Sequence, residues 1–197
     1  MKRLHPKARA VAMRDTDRDL TSVVLVRSDA PSEPSALAGK RVGVGAADSP
    51  QATLIPLLAL EEAGVARPEV VRNDVLLGKH GDHIGGERDA ARALVSGRVD
   101  AACVLDANHL AFTRDGTLPA GSVRVLLQTK PYDHCNFTVL DGAYEERFVE
   151  LLLAMSWDDP EVRPLLDLEG LKKWVPGRTT GYAQLERAVD RFGMPEP

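Results

Sequence analysis

The sequence predicts an α/β fold in which a mostly parallel sheet carries helices on its faces. Strand-like and helix-like segments alternate from residue 41 to residue 127, an order typical of parallel strands joined by crossover helices. The 197 residues are enough to bury a core in one domain or in two small lobes. After residue 140 the pattern becomes almost entirely helical.

Short apolar or β-branched runs predict the strands. Residues 22–27 (SVVLVR) and 99–105 are apolar enough to be buried strands. The glycines of RVGVGA, residues 41–46, weaken a strand but allow another backbone to approach it closely. Further strands are predicted at residues 69–72, 122–128 and 137–140.

Helical spacing of leucines and terminal glycines predict the helices. Residues 54–64 carry regularly spaced leucines, and the amphipathic residues 87–96 are ended by a glycine. The remaining helices are predicted at residues 108–113, 144–157, 161–166 and 182–192. The apolar face of the helix at 144–157 is so wide that it needs more than one packing partner.

Composition excludes several classes of partner. The net charge is -4, aromatic residues make up 5%, and lysine and arginine form no run, so we expect neither nucleic acid nor an anionic membrane as a partner. Residues 1–20 begin basic but contain no apolar run, which predicts a cytoplasmic chain without a signal peptide. Of the two cysteines, Cys103 lies in an apolar strand and is predicted to be a buried thiol, and Cys135 gives no reason to expect a disulfide.

Three stretches, taken in order, resemble the phosphonate/phosphate-binding receptors of ABC importers, which belong to the type II periplasmic-binding-protein superfamily. They are LAGKRVGVGAADSPQATLIPLLALEEAGV (37–65), ERDAARALVSGRVDAACVLD (87–106) and VRVLLQTKPYDHCNFTVLD (123–141) with the helix that follows. The resemblance implies an intact, parallel-rich α/β lobe at residues 30–127. Residues 1–29 and 128–197 would form a truncated, mostly helical remnant of the other lobe.

The same resemblance implies a function. The chain would bind a small molecule, an anion such as phosphonate or phosphate, without a cofactor and in association with an ABC importer permease. Two alternatives stay open: a cytoplasmic enzyme on the same fold, and a subunit completed by a separate first-lobe chain. The sequence contains no nucleophile motif and no phosphate-binding P-loop that would favour the enzyme.

The turn before the first predicted helix is the first candidate site. Ser49 suits the N-cap and Pro50 suits the first helical position. The N–H groups of Gln51, Ala52 and Thr53 would then be free to hold a phosphonate or a carboxylate, with hydroxyl groups adding donors. The alternative is an ordinary capped helix without a ligand.

The resemblance places a second ligand-facing turn at Gly86, Glu87 and Arg88. A glycine turn that opens a helix permits a positive φ and close approach of a ligand to the backbone. The Glu87 carboxylate would repel an anion unless Arg88 offset it, and the alternative is a first-turn acid that complements the helix dipole. Asp106 follows a strand, and either caps the next helix or accepts hydrogen bonds from a ligand.

The histidines permit two interpretations. His80 and His83 lie three residues apart in a glycine-rich loop, whereas His134 and Cys135 are adjacent in a later segment. Loops at one edge of a sheet cluster in space, so nitrogen and sulfur from these residues are compatible with zinc. A solvated loop or direct ligand contacts are the alternatives. We name His134 as a ligand contact, and His80 and His83 as metal candidates only.

A truncated first lobe would leave apolar surface uncovered. We expect the helical face at residues 148–155 and the strand at 22–27 to be exposed, since a complete receptor would cover them. An uncovered strand edge and an apolar patch both favour association. The sequence therefore predicts a homodimer or a complex with a separate first-lobe chain, unless the C-terminal helices cover this surface.

Overall fold

The computed structural model describes residues 5–73, 83–140 and 146–193, without the side chains of residues 83 and 84. These residues form two compact units: unit 1 comprises Met1–Leu20 with Pro131–Ala183, and unit 2 comprises Thr21–Lys130 with Gln184–Pro197. These boundaries differ from the predicted ones, which placed the intact lobe at residues 30–127 and the remnant of the other lobe at residues 1–29 and 128–197. Within the described ranges, no helix combines the length and the apolar character needed to cross a membrane.

Strands and helices are numbered in chain order. The strands are β1 (Arg9–Arg14), β2 (Ser22–Arg27), β3 (Arg41–Val44), β4 (Glu69–Arg72), β5 (Ala101–Leu105), β6 (Val123–Gln128), β7 (Phe137–Val139) and β8 (Trp174–Pro176). The α-helices are α1 (Ile55–Glu62), α2 (His83–Val95), α3 (Asp106–Arg114), α4 (Glu146–Ala154), α5 (Arg163–Leu168) and α6 (Ala183–Phe192).

Unit 2 contains a five-stranded sheet in the order β4-β3-β5-β2-β6. Strand β3 pairs in parallel with β4 and β5, which confirms that residues 41–46 and 99–105 belong to one sheet. Strand β2 runs antiparallel to both of its neighbours, β5 and β6, so the sheet is mixed rather than mostly parallel. Apolar content predicted each strand, but it carries no information about strand direction.

Strand β2 is buried on both faces. Val23 and Leu25 pack in one apolar cluster with residues of α2, and Val24 and Val26 pack in a second cluster with Leu60 of α1. This explains why the strand is continuously apolar rather than alternating. The expectation that β2 is an uncovered strand was wrong, because its sequence position gave no sign that it inserts into the middle of the sheet.

The buried thiol predicted on β5 is confirmed. Cys103 has no exposed surface and is a free cysteine. Burial raises the pKa of its thiol to about 12, and the nearby Glu87 carboxylate adds to this shift. Cys103 therefore stays protonated at neutral pH and acts as a small apolar core residue.

The C-terminal helix α6 packs on α1. Ala188 is fully buried in a cluster with Leu54 and Leu58, and Arg187 and Arg191 form exposed ion pairs with the acidic end of α1. The residues that α6 covers therefore belong to unit 2.

Unit 1 contains a three-stranded antiparallel sheet in the order β7-β1-β8. Helix α4 packs against this sheet, where the ring of Phe137 lies 5.7 Å from that of Phe148 and 5.1 Å from that of Trp174. The expectation of a nearly all-helical remainder missed β1 and β8. Strand β8 has only three residues and ends at a proline, so periodicity alone does not reveal it.

Gly86 offers a test of the packing between α2 and the end of β4. A Cβ atom at Gly86 would lie 2.5 Å from the backbone oxygen of Asn73, which no side-chain rotation can relieve. Alanine is the better helix former by about 1 kcal/mol, but a contact this short with a backbone atom puts the overpacking cost in the upper part of its usual range, about 2–3 kcal/mol. We therefore expect Gly86→Ala to lower the free energy of unfolding by about 1–2 kcal/mol in urea denaturation.

The matched control is Asp89→Ala in the same helix. Asp89 forms an exposed pair with Arg92, whose loss is expected to change the free energy of unfolding by less than about 0.5 kcal/mol. A Gly86→Ala protein as stable as the unmodified chain would show that α2 does not approach Asn73 this closely.

Candidate functional site

The turn at Ser49 is capped as predicted but is closed by its own hydrogen bonds. Residues Pro50–Leu54 form one π-helical turn that leads into α1. The Ala52 N–H donates to Ser49 Oγ at 3.1 Å, and the Thr53 N–H donates to the Ser49 backbone oxygen at 3.2 Å. The N–H groups of Ala52 and Thr53 are therefore not free, contrary to the expectation for an open helix end.

Gln51 carries an unpaired acceptor atom in this turn, its Oε1. The Ser22 hydroxyl donates to the Gln51 backbone oxygen at 2.6 Å, and the Thr53 hydroxyl donates to the Ala46 oxygen at 2.7 Å. Gln51 is only 7% exposed, yet its Oε1 has no hydrogen-bond partner among the described residues. A buried unsatisfied acceptor costs about 1–3 kcal/mol, so a ligand that met this carboxamide would recover that cost.

Gly45 brings the Ser49 turn and α2 together at the end of β3. A Cβ atom at Gly45 would lie 2.9 Å from Ala52 Cβ and 3.8 Å from Glu87 Cγ. Only glycine allows the turn and the helix to approach the strand this closely. Of the predicted site residues, Ala52, Gly86 and Glu87 therefore lie around the same strand end.

Glu87 has a different setting from the predicted one. Helix α2 begins at His83, so Gly86 and Glu87 lie within the helix and not in a glycine turn that opens it. The Glu87 carboxylate is fully buried, and its Oε2 accepts the Leu105 N–H at 2.7 Å and the Asn108 side-chain amide at 2.9 Å. This carboxylate joins α2 to the end of β5 and to α3.

Arg88 and Asp106 make protein contacts of their own. Arg88 pairs with Asp115 at 2.5 Å and lies over the Phe112 ring, 4.5 Å from its centroid. The hydrogen bond from Arg88 lowers the pKa of Asp115 to about 2. Asp106 is the first residue of α3 and does not cap it, because Leu105 occupies the N-cap. Its carboxylate lies 3.9 Å from His109 Nδ1 and complements the positive end of the helix dipole.

The metal candidates named from sequence fall largely outside the described part of the chain. His80 lies outside the described residues, and His83 is described only as the first residue of α2. His134 belongs to unit 1. The structure therefore tests no zinc set that includes His80 or His83.

His134 forms part of a polar cluster in unit 1, which we call the Asp17 cluster: Arg14, Asp17, His134 and Cys135. Asp17 follows β1 and binds Arg14 Nε through Oδ2 at 2.6 Å. His134 Nδ1 lies 3.5 Å from Asp17 Oδ1 and 3.1 Å from Cys135 Sγ. The His134 N–H donates to the Asp17 backbone oxygen at 2.9 Å, which fixes the loop beside the carboxylate.

The cluster shifts the titration of two of its members. Hydrogen bonds to Asp17 and Cys135 raise the pKa of His134 to about 9. Burial alone would raise the pKa of Asp17, but hydrogen bonds from His134 and Arg14 outweigh burial and lower it. At neutral pH the cluster therefore holds a charged imidazole beside a charged carboxylate.

A second network fixes the loop that carries His134. Asp133 is fully buried, and both of its carboxylate oxygens accept hydrogen bonds from Arg178, at 2.7 and 2.6 Å. The Tyr182 hydroxyl donates to the His134 backbone oxygen at 2.7 Å. A Cβ atom at Gly181 would overlap the Asp133 carboxylate, so this position requires glycine.

Sequence analysis named His134 but missed the residues around it. The missed residues come from segments far apart in the chain, and each is a common polar residue without a local motif. They are Asp17, Asp133, Arg178 and Tyr182. The cluster borders a cavity of about 170 Å³. The cavity is lined by Arg14, Asp17, Cys135, Asn136, Phe137, Glu169 and Trp174.

Comparison with known proteins gives a consistent result. A family model described as "ABC transporter, phosphonate, periplasmic substrate-binding protein" matches residues 1–182. PhnD1 from Prochlorococcus marinus, solved in complex with methylphosphonate, has a TM-score of 0.70 at 17% identity and is matched over 98% of this chain and 74% of its own. No curated protein matches the sequence.

A second similar protein has been solved with two different ligands. XAC2383 from Xanthomonas citri bound to ATP has a TM-score of 0.69 at 21% identity, covering 96% of this chain and 74% of that chain. The same protein bound to chloride has a TM-score of 0.69 at 20% identity, covering 93% and 70%. Identities this low establish a common fold and leave the ligand of this chain to be argued from its own residues.

The Asp17 cluster predicts a pH dependence of stability. Because the pKa of His134 is raised from 6.5 to about 9 in the folded state, protonation favours folding. The stabilisation is complete below pH 6.5, decreases as the pH rises to about 9, and is then lost. Urea denaturation with a chelator present should give a free energy of unfolding roughly 2 kcal/mol lower at about pH 9.5 than at about pH 6.

His134→Gln is expected to remove most of this difference, since glutamine does not titrate. The control is His109→Gln, which removes a histidine 3.9 Å from its carboxylate partner in unit 2 and should leave the difference intact. If the free energy of unfolding of His134→Gln changed with pH as it does in the unmodified chain, the titrating group would lie elsewhere.

Proposed function

The chain belongs to the family of phosphonate-binding, periplasmic substrate-binding proteins of ABC transporters, and we propose that it captures a small phosphonate-like or phosphate-like anion at the Ser49 turn. The family predicted from three sequence stretches is confirmed, and so is the type II periplasmic-binding-protein fold. Family members bind small molecules and work with importer permeases. The description of the family places them in the periplasm, and the cytoplasmic location expected from residues 1–20 stays a prediction.

The unpaired Oε1 of Gln51 is the observation that carries this proposal. The side chain is a buried polar group whose Oε1 lacks a partner within the described ranges, at a turn positioned by β3 and α1. A carboxamide offers one acceptor oxygen and one donor NH₂. A phosphonate or phosphate monoanion presents a hydroxyl donor and several acceptor oxygens, so its hydrogen-bonding pattern complements that of Gln51.

The electrostatic setting favours a ligand bound through neutral donors. Glu87 also approaches Gly45, and its Oε2 accepts two hydrogen bonds within the protein. Arg88 is engaged with Asp115 and supplies no free charge to the turn. We therefore propose that the Gln51 side chain contacts the ligand, while Ser49, Ala52 and Thr53 hold the turn in place through their own hydrogen bonds. Gly86, Glu87, Arg88, Asp106 and His134 stay predicted ligand contacts.

Replacement of Gln51 separates ligand binding from stability. Gln51→Leu removes a buried unsatisfied group, so the free energy of unfolding of the ligand-free protein should stay equal or rise. The same change should weaken binding of methylphosphonate by about tenfold, because hydrogen bonds to a charged group contribute about 1.5 kcal/mol or more. Isothermal titration calorimetry with methylphosphonate, and in parallel with inorganic phosphate, measures both affinities.

The matched control is Gln128→Leu, an exposed glutamine whose amide already donates to the Thr21 hydroxyl. It should leave the affinity for either anion unchanged. Equal affinities in Gln51→Leu and the unmodified protein would move the ligand away from the Ser49 turn, whereas no binding of either anion would argue against the ligand class.

For assembly, we propose an interface through unit 1, formed with a second copy of the chain or with a separate first-lobe chain. The exposed large apolar side chains of this unit come from β7, the residue after it, α4 and α5. They are Phe137, Leu140, Phe148, Leu151, Leu153, Leu165 and Leu168. Strand β2 no longer belongs to this proposal, since it is buried inside the sheet of unit 2. Apolar surface of this kind favours association by about 25 cal/mol for each Å² covered.

Leu151→Glu tests the interface. Leu151 is 52% exposed on α4, so a charge there should not disturb the core but should oppose burial in an interface. We expect light scattering at micromolar concentration to show a dimer for the unmodified chain and a monomer for Leu151→Glu. Leu110→Glu is the control, because Leu110 is 53% exposed in unit 2. A monomeric unmodified chain would contradict the homodimer.

A further inference from the structure

We propose that Asp17, His134 and Cys135 form a binding site for one divalent transition-metal ion, with Zn²⁺ as the best match. The three residues offer a carboxylate oxygen, an imidazole nitrogen and a thiol sulfur, and these three atoms all lie within 4.8 Å of one another. Oxygen, nitrogen and sulfur are the ligand atoms that proteins use to bind zinc. This site is separate from the Ser49 turn and goes beyond the anion-binding function.

The distances between the ligand atoms suit a tetrahedral ion. Metal–ligand distances of about 2.0–2.3 Å place two ligands of a tetrahedral zinc about 3.3–3.6 Å apart. His134 Nδ1 lies 3.5 Å from Asp17 Oδ1 and 3.1 Å from Cys135 Sγ. The third pair, the Asp17 carboxylate and Cys135 Sγ, lies within 4.8 Å, so rotation of the exposed Cys135 side chain would bring all three atoms around one ion.

Neighbouring residues already orient the ligands. Arg14 holds the Asp17 carboxylate through both oxygens: Nε donates to Oδ2 at 2.6 Å and a terminal NH₂ donates to Oδ1 at 3.2 Å, and Oδ1 is also the oxygen that faces His134. Both backbone hydrogen-bonding groups of His134 are engaged: its N–H donates to the Asp17 backbone oxygen, and its C=O accepts from the Tyr182 hydroxyl. Metal ligands in proteins are commonly oriented by such hydrogen bonds, which lower the cost of assembling the site.

The site has both an entry route and room for a fourth ligand. Asp17 is buried, whereas Cys135 is exposed, so an ion can reach the cluster from the solvent side. The adjoining cavity of about 170 Å³ is lined by Asp17 and Cys135 and can hold a water molecule as the fourth ligand. Three protein ligands with one open position describe a zinc site of the open type.

Charge balance also favours a divalent ion. A thiolate is the metal-binding form of cysteine, so Cys135 and Asp17 together supply two negative charges. These two charges neutralise Zn²⁺. Binding releases one proton from the His134 imidazolium and one from the Cys135 thiol, and Arg14 keeps its hydrogen bond to Oδ2 of Asp17. The soft sulfur ligand selects zinc over Mg²⁺ or Ca²⁺, which prefer oxygen.

Metal titration of the full chain tests the proposal. The chelator-treated, reduced protein is titrated with Zn²⁺ by calorimetry and with Co²⁺ by absorbance, because a cobalt–thiolate bond gives a charge-transfer band. We expect one ion per chain and a thiolate band with Co²⁺. Cys135→Ser should abolish the band. Cys135→Ser and His134→Gln should each weaken Zn²⁺ binding by more than about tenfold, the loss expected for a residue that only orients a ligand.

The controls separate this cluster from the other histidines. His109→Gln removes a histidine that also faces a carboxylate but has no cysteine beside it, and should leave binding unchanged. The double variant His80→Gln, His83→Gln should also retain one ion. Loss of binding in that double variant, or unchanged binding in Cys135→Ser, would overturn the proposal.

A measurement on the unmodified chain tests the proposal even if the variants fail to fold. Zn²⁺ should slow alkylation of the exposed Cys135 by iodoacetamide by at least about tenfold, since a bound thiolate is no longer free to react. The buried Cys103 is the internal reference, because it should react slowly with or without the ion. An alkylation rate for Cys135 that does not depend on Zn²⁺ would overturn the proposal.

Discussion

The structure of unit 2 depends on the burial of β2 on both faces between β5 and β6. This strand contributes apolar side chains to the clusters on both sides of the sheet, so α1, α2 and α3 pack against a common centre. The same strand positions the candidate ligand site, because the Ser22 hydroxyl at its start holds the Gln51 backbone oxygen at 2.6 Å. A hydrogen bond from a core strand fixes a buried turn more firmly than a surface loop can.

The two polar sites differ in how their polar groups are paired. At the Ser49 turn, Ser49, Ala52 and Thr53 are paired within the protein, whereas the neutral Gln51 Oε1 has no partner among the described residues. In the Asp17 cluster, charged groups converge and stabilise one another, with Arg14 and His134 on either side of one carboxylate. The first arrangement suits a small anion that supplies missing hydrogen bonds, and the second suits a cation that supplies positive charge between acceptor atoms.

Buried carboxylates connect separate segments of the chain in both units. Glu87 links α2 with the end of β5 and with α3, and Asp133 links the His134 loop to Arg178. Each is acceptable inside the protein because donors surround at least one of its oxygens. The Glu87 carboxylate, which sequence analysis placed at the ligand, therefore also holds the scaffold around the Ser49 turn.

Local sequence patterns determined the order of strands and helices in unit 2, the Ser49 cap, the buried Cys103 thiol and the family itself, because periodicity, capping and motif order are properties of neighbouring residues. The antiparallel direction of β2, the inclusion of Gly86 within α2 and the short strand β8 were decided by packing partners distant in sequence. The Asp17 cluster is the clearest case. Asp17 and His134 meet only because β1 and the loop before β7 are brought together by the sheet of unit 1, and no pattern within either segment specifies the other.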